Sequence, residues 1–492
     1  MNAHNNVILS LRRSSLAAMI ALGLSSVVNA APATGADMVD SYTGSPRIFV
    51  LTDIGNEPDD QMSMVRLLMY SNEMDIEGLV ATTSTWQRGK TMPETIKSIV
   101  DAYGQVRPNL MKHADHWPTQ ENLESVISSG QTGYGMEDVG KGKSTAGSKA
   151  LIAAVDKTDN RPIWISVWGG ANTLAQALFD VRESRTPAQV KAFEEKLRVM
   201  ATSDQDDAGP WIRKEFPNVY YIVKPSSQDG TEYAAATWTG IAGDIYYKNG
   251  DGADFSHVTN EWLGKNIRGK GPMGKHYLTY KFIMEGDTPD YLALIGNGLN
   301  SYQSPSWGGW GGRYIYRQPY GETHAIWTQG GDYFPRVTSA DTVTGNDGKE
   351  HTSDQASIWR WRNQFQNDFA ARMDWSIKPF DKANHNPVVD VNGNTGKEVI
   401  NLEAKIGDQL VLDASATKDP NGHKLTYRWY NYQEAGFTGV VGKPGLADIS
   451  LNGQNTKKIT VKVNKACRDG RLADPRATCP EGGVAHVILE VT

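Results

Sequence analysis

The sequence predicts an α/β domain with a largely parallel sheet and helices on both faces, followed by a β-sandwich of immunoglobulin type. From Arg47 onward, short apolar, β-branched runs alternate with stretches of helical spacing, the pattern of successive βαβ units. Beyond residues 378–387 the helical spacing stops. Short strands separated by turn signals such as Asn392-Gly393-Asn394 and Asp419-Pro420-Asn421-Gly422 take over. A chain of 492 residues is also too long for one ordinary core.

The expected strands of the first domain are 47–52, 75–82, 162–168, 197–202 and 219–223. The expected helices are 59–71, 93–103, 144–155, 172–181 and 187–196. Residues 226–330 are rich in Gly, Trp and Tyr with weak periodicity, and read as loops and extra helices. Helical spacing over 353–372 closes the domain at residue 377. The second domain, 378–492, has expected strands at 388–391, 398–404, 409–413, 425–432, 458–463 and 485–491, with Trp429 in its core.

The N-terminus reads as a processing segment. Arg12 and Arg13 precede an apolar stretch, and Val28-Asn29-Ala30 fits a small-x-small cleavage signal, so residues 1–30 form an expected signal peptide and 31–46 a linker. The expected location is therefore the periplasm or the extracellular space. No run reads as a membrane span. Cutting after Ala30 removes two positive charges and no acids, taking the formal charge from −6 to −8. That balance, without a basic run, argues against nucleic acid as main partner. Cys467 and Cys479 are the two cysteines, and in an exported chain a disulfide is the default reading.

The chemistry gathers where expected strands end. After the first stands Asp53-Ile54-Gly55-Asn56-Glu57-Pro58-Asp59-Asp60, with four carboxylates in eight residues. The competing reading is a solvated helix cap. After the third strand comes Trp168-Gly169-Gly170-Ala171-Asn172-Thr173, and after the fourth Ser203-Asp204-Gln205-Asp206-Asp207; a later segment offers Glu285-Gly286-Asp287. In a parallel sheet these loops converge at one edge. Carboxylates, carbonyls and hydroxyls are what Ca²⁺ prefers, and the lack of a His or Cys set argues against zinc.

The stretch 51–60 resembles the N-terminal signature of inosine–uridine nucleoside hydrolases, Asp-x-Asp-x-Gly-x-Asp-Asp, and 168–173 resembles that family's Thr-Gly-x-Leu-Thr-Asn loop. More closely, the chain resembles an exported bacterial family described as cellulose-binding, with a nucleoside hydrolase-like domain followed by a β-sandwich. The stretches 203–213 and 285–289 carry that likeness. The resemblance implies Ca²⁺ held by Asp53, Asp60, the Trp168 carbonyl and Asp287. It implies catalytic roles for Asp53, as base, and for Asp59, which accepts a sugar hydroxyl. Three departures stand out. Asn56-Glu57-Pro58 lengthens the acidic loop, Leu51 replaces the first Asp, and Glu285-Gly286 stands where nucleoside hydrolases often have Met-His. An alkoxide leaving group needs an acid, for which Glu57, Asp206, Asp207 and Glu285 are candidates.

Further expected sugar contacts are Trp86, Asn172, Asp206, Asp207, Glu285, Trp307 and Trp310. Trp307 and Trp310 lie in a glycine-rich loop whose indoles serve either stacking or packing. Asp206 and Asp207 line a pocket wall or cluster at a helix start. The function expected is Ca²⁺-dependent hydrolysis of a glycosidic bond in an extracellular saccharide or polysaccharide. The alternatives are a non-catalytic cellulose or carbohydrate binder and a nucleoside N-ribohydrolase. Self-association into a homo-oligomer stays open.

Overall fold

The computed structural model describes residues 3–10, 44–228, 230, 232–242, 252–281, 283–330, 338–436, 445–467 and 482–492. Eight strands form the main sheet, in the order Ile127–Ser129, Asp75–Ala81, Arg47–Thr52, Ile163–Val167, Leu197–Ala201, Tyr220–Ile222, Ile326–Thr328, Ile315–Arg317. All neighbours run parallel except the last pair. The chain therefore builds outward in one direction from Arg47–Thr52, then returns and builds outward in the other from Ile163–Val167. The switch point lies between those two strands, where ligands settle beyond the carboxyl ends in open α/β sheets.

Burial on both faces explains why the central strands are apolar throughout. Ile48 and Val50 join one core, while Phe49 and Leu51 join the other. That is the period of two expected of a strand covered on each side. The helices between them start on readable signals. Thr145 and Thr186 cap Ala146–Asp156 and Pro187–Lys196, each in a reciprocal capping box with Ser148 or Gln189. Helix Pro93–Leu110 runs beyond its expected end at residue 103, because Val106 and Leu110 are buried. The single helix expected over 353–372 is instead two, Ala356–Trp359 and Arg362–Trp375.

The C-terminal part holds two sheets. One contains Gln409–Asp413, Lys458–Lys465 and Asp448–Asn452; the other contains Ile400–Glu403, Ala3–Ser10, Gly483–Val491 and Tyr427–Asn431, with Gly445–Leu446 beside Gly483–Val491. Trp429, Val461 and Leu489 share the core between them. The segment 388–391 makes isolated bridges rather than a strand. Ala3–Ser10 falls inside the expected signal peptide, and here it pairs with Gly483–Val491. Cys479 lies outside the described residues, and so do most of the expected signal and linker residues. No helix among the described residues is long and apolar enough to cross a membrane.

Specific bonds join the two parts. Tyr432 Oη donates to Asp341 at 2.7 Å, Gln364 Nε2 to Glu490 at 2.9 Å and Gly436 N to the Ser306 carbonyl at 2.8 Å. His113, at the end of its helix, meets His385 with ring nitrogens 2.9 Å apart. Its other nitrogen lies 2.8 Å from the Lys378 carbonyl and donates there. Burial lowers the pKa of both imidazoles from 6.5. An imidazole that is neutral in the fold and charged once unfolded stabilises the protein above the ordinary pKa and loses that contribution as pH falls below 6.5. The expected result is a thermal midpoint that drops on acidification below about pH 6.5, with a shallower drop in His113→Gln.

Candidate functional site

Asp53 directly follows strand Arg47–Thr52 at the switch point, and Asp59 and Asp60 occupy the first turn of helix Pro58–Met69. The helix begins with Pro58 at its first position and has no side-chain cap bond, so capping by itself does not account for these acids. Thr52 pins the loop. Its hydroxyl donates to Asp60 Oδ1 and accepts from the Ile54 N–H at 3.1 Å. Gln87 Nε2 holds the Asp53 carbonyl at 2.9 Å.

Asp287 arrives from the far side of the sequence and completes the cluster. Ligand atoms of Asp59, Asp60 and Asp287 all lie within 4.8 Å of one another. Asp53 packs against Asp60 and Ser84 beside them. Two glycines permit this approach. A Cβ on Gly169 would stand 2.6 Å from Asp53 Oδ1, and one on Gly286 would stand 2.8 Å from Asp59 Oδ2. The Thr202 hydroxyl bridges Asp287 and Asp290 at 3.3 Å each.

Burial raises the pKa of every carboxyl in the cluster. Asp59 is pushed up to about 8 by burial, then by Glu57 and Asp53. Asp60 and Asp287 stand well above their ordinary range, first through burial and then through their acidic neighbours. Asp53 Oδ1, Asp59 Oδ1 and Asp287 Oδ2 are buried without a hydrogen-bond partner. Such oxygens are costly to bury unless something neutralises them. An all-oxygen, acidic, buried donor set fits a hard divalent cation.

The other expected site residues divide. Trp168 is fully buried, and its carbonyl, at the end of strand Ile163–Val167, accepts from Gln205 Nε2. Asp206 accepts from the backbone N–H groups of Asn172 at 3.1 Å and Ala208 at 3.0 Å, so it ties two site loops together. Asn172 Nδ2 donates to the Gly133 carbonyl at 2.9 Å. Asp207 is exposed and accepts from the Met136 N–H at 2.8 Å. Glu285 is fully buried against Arg66, with Nε 2.7 Å from Oε2 and Nη2 3.0 Å from Oε1, and also accepts from Tyr277. Glu57 is half-buried at the edge of the cluster and is bonded by Asn56 at 2.8 Å. Burial, then Asp53, pushes its carboxyl up to about 7.

Trp307 and Trp310 sit in packing contacts. Trp310 lies edge-on to Phe365 and Trp307 edge-on to His486, a residue of the C-terminal sheet. Their loop passes so close to Tyr432 that a Cβ on Gly308 would stand 2.2 Å from the Tyr432 hydroxyl.

The family described as cellulose-binding Sde182, nucleoside hydrolase-like domain, matches residues 47–314, and the C-terminal domain of cellulose-binding protein Sde0182 matches residues 409–492. A solved nucleoside hydrolase-related protein from Saccharophagus degradans, described as associated with carbohydrate metabolism, is 34% identical. The match covers 86% of this chain and 92% of that one, with a TM-score of 0.70. The chain belongs to the Sde182 family.

An inosine–uridine preferring nucleoside hydrolase from Bacillus anthracis is more remote, at 10% identity over 68% of this chain and 100% of that one, with a TM-score of 0.34. The type III effector XopQ, solved with adenosine diphosphate ribose, is 8% identical over 68% of this chain and 96% of that one, with a TM-score of 0.36. No curated protein matches.

In this Sde182-family chain, aromatic residues flank the carboxylates, and sequence reasoning found one of the three. Trp86 is 46% exposed and meets Tyr233 edge-on, with centroids 6.4 Å apart. Tyr233 meets Trp238 at 6.0 Å. Trp238 reaches the loop at Gly286, where Asp59 also lies. Tyr233 and Trp238 come from two short 3₁₀ turns, Tyr233–Ala235 and Thr237–Ile241, in a region of weak periodicity. Only their aromatic character marked them in the sequence.

Proposed function

We propose that this protein hydrolyses a glycosidic bond in an extracellular saccharide, in a cation-dependent reaction with Ca²⁺ as the ion. The observation that carries the proposal is the convergence of Asp59, Asp60 and Asp287, whose ligand atoms lie within 4.8 Å of one another, beside Asp53. The family's cellulose-binding description supports a polysaccharide as partner and a location outside the cytoplasm. Cleavage after Ala30, a Cys467–Cys479 disulfide and domains at 47–377 and 378–492 belong to the same proposal.

Asp60 and Asp287 would hold the ion, with Asp53 or Asp59 and the Trp168 carbonyl completing the set. A bound Ca²⁺ would gather sugar hydroxyls and a water in one flexible coordination shell. Asp53 takes the proton of the attacking water, and Asp59 accepts a hydrogen bond from a sugar hydroxyl. Trp86 offers its exposed ring to the sugar at the mouth of the site, backed by the buried Tyr233. Protonation of the leaving oxygen falls to Glu57, because Asp206 and Glu285 are held by backbone or arginine partners and Asp207 is turned to the Met136 N–H.

The same occupancy of Asp206 and Glu285 favours a second reading, a carbohydrate binder that retains the ion without turnover. A nucleoside N-ribohydrolase is the third, and release of free base from inosine or uridine would establish it. A screen of plant and microbial polysaccharides, reading reducing ends with and without chelator, separates the first two. New reducing ends that vanish on chelation support hydrolysis. Retention on insoluble cellulose with no released sugar contradicts hydrolysis and supports the binder.

A further inference from the structure

A cavity lies at the seam between the α/β part and the C-terminal part. It has a volume of about 610 Å³, within the usual range for small-molecule sites. Its lining includes Trp375, Phe380 and His385 together with the amides of Asn72, Asn297 and Asn386. None of these residues belongs to the carboxylate cluster.

The aromatic side of the cavity is ordered as a stack. His113 lies parallel to Trp375, with centroids 5.5 Å apart and planes 4° apart. Phe380 lies on His385, with centroids 3.8 Å apart and planes 19° apart. Phe380 is nevertheless 42% exposed. One face is therefore fixed by the imidazole while ring surface stays open. An immobilised aromatic ring is a ready platform for a flat apolar surface, because little rotamer freedom remains to be lost on contact.

Four charged groups of the lining pair among themselves, and Asp115 adds one further carboxylate. Arg372 binds Glu73 at 2.7 Å and Asp368 at 3.1 Å, and Lys397 binds Glu73 at 3.0 Å. These two carboxylates and two cations cancel, and Asp115 leaves one acid over, which disfavours an anionic ligand. Asn386 Nδ2 donates to Asp368 at 2.8 Å, whereas its Oδ1 is buried without a hydrogen-bond partner. The site thus combines a fixed ring, amide groups and an acceptor awaiting a donor. A neutral sugar matches this set: its C–H face stacks on the ring and its hydroxyls bond the amides.

We propose that the seam cavity is a saccharide-binding subsite that seats a stretch of neutral glycan on Phe380, separate from the carboxylate cluster. The ligand class rests on the saccharide reading above; the position does not. Contacts from both parts of the chain line the cavity, so a bound glycan would also brace the seam.

The test is calorimetric titration of the full-length protein with cellohexaose, with Ca²⁺ and with chelator, using Phe380→Ala and Phe380→Trp, with Asn297→Ala as a second cavity variant should Phe380→Ala misfold. Thermal midpoints confirm that each variant is folded. The proposal expects a binding event that survives chelation, whose affinity falls about tenfold or more in Phe380→Ala and is retained in Phe380→Trp. Wild-type affinity in both folded cavity variants overturns it, as does no binding by the wild type. Loss of all binding on chelation also overturns it, and leaves the carboxylate site standing as the sugar site. Loss in Phe380→Ala together with no response to Ca²⁺ or chelator supports the subsite and defeats the cation reading.

Discussion

Replacing Asp60 with Asn is expected to abolish stabilisation by Ca²⁺ and to lower turnover at least about 100-fold, since even outer partners of metal sites act on that scale. Asp60 sits at the first turn of its helix, is held by the Thr52 hydroxyl and shares the cluster with Asp59 and Asp287. The amide preserves size but removes one of the converging negative charges. Without cation, the substitution should stabilise the fold, because Asp60 is among the acids whose ionised form burial and its neighbours disfavour. Opposite effects on cation-free and cation-bound stability separate loss of a ligand from general damage. Thermal midpoints with Ca²⁺ and with chelator, for wild type and variant, give the answer. A variant that is stabilised by Ca²⁺ as strongly as wild type would remove Asp60 from the site.

Arg66→Met is expected to cost about 3–5 kcal/mol of stability, the usual scale for stripping one partner from a buried ion pair. Arg66 and Glu285 are both fully buried, and the guanidinium also donates to Gln366 and to the Phe365 carbonyl, the latter at 3.3 Å. Glu285 adopts a left-handed backbone with φ of 52°, unfavourable for a residue with a side chain. Its ion pair holds that turn two residues before Asp287. Denaturant midpoints should show the loss, and Ca²⁺ affinity should weaken with it as Asp287 is released. Adding Glu285→Gln should restore part of the stability by removing the orphaned charge. No recovery in the double variant would mean that packing, rather than charge, dominates at Arg66.

What the sequence revealed followed from local physics. Strand Arg47–Thr52 and strand Gln409–Asp413 match their expected bounds, and the central strands of the large sheet were legible as apolar runs with clear ends. Ile127–Ser129, Ile315–Arg317 and Ile326–Thr328 were missed because three residues carry no readable period. The acidic cluster could be anticipated because its members follow strand ends, where a parallel sheet gathers its loops. The partners that occupy the remaining acids could not. Glu285 meets an arginine 219 positions away, and Asp206 is bound by the backbone of another loop. For Trp307 and Trp310, composition fits stacking and packing equally; their neighbours Phe365 and His486 come from distant segments.

The most direct test of the central claim is calorimetric titration of the protein with Ca²⁺ in buffers of different ionisation enthalpy, near pH 6 and near pH 8. In the cation-free fold Asp59 keeps a proton up to about 8, against an ordinary value of 3.8. The folded state therefore binds more protons than the unfolded chain in that window, and its stability falls as pH rises. Ca²⁺ requires the ionised carboxylates, so binding should expel protons and tighten between about pH 6 and about pH 8. The account predicts saturable binding, net proton release and increasing affinity with pH, all lost in Asp60→Asn. Absence of binding, or binding without proton release that persists in Asp60→Asn, would contradict it.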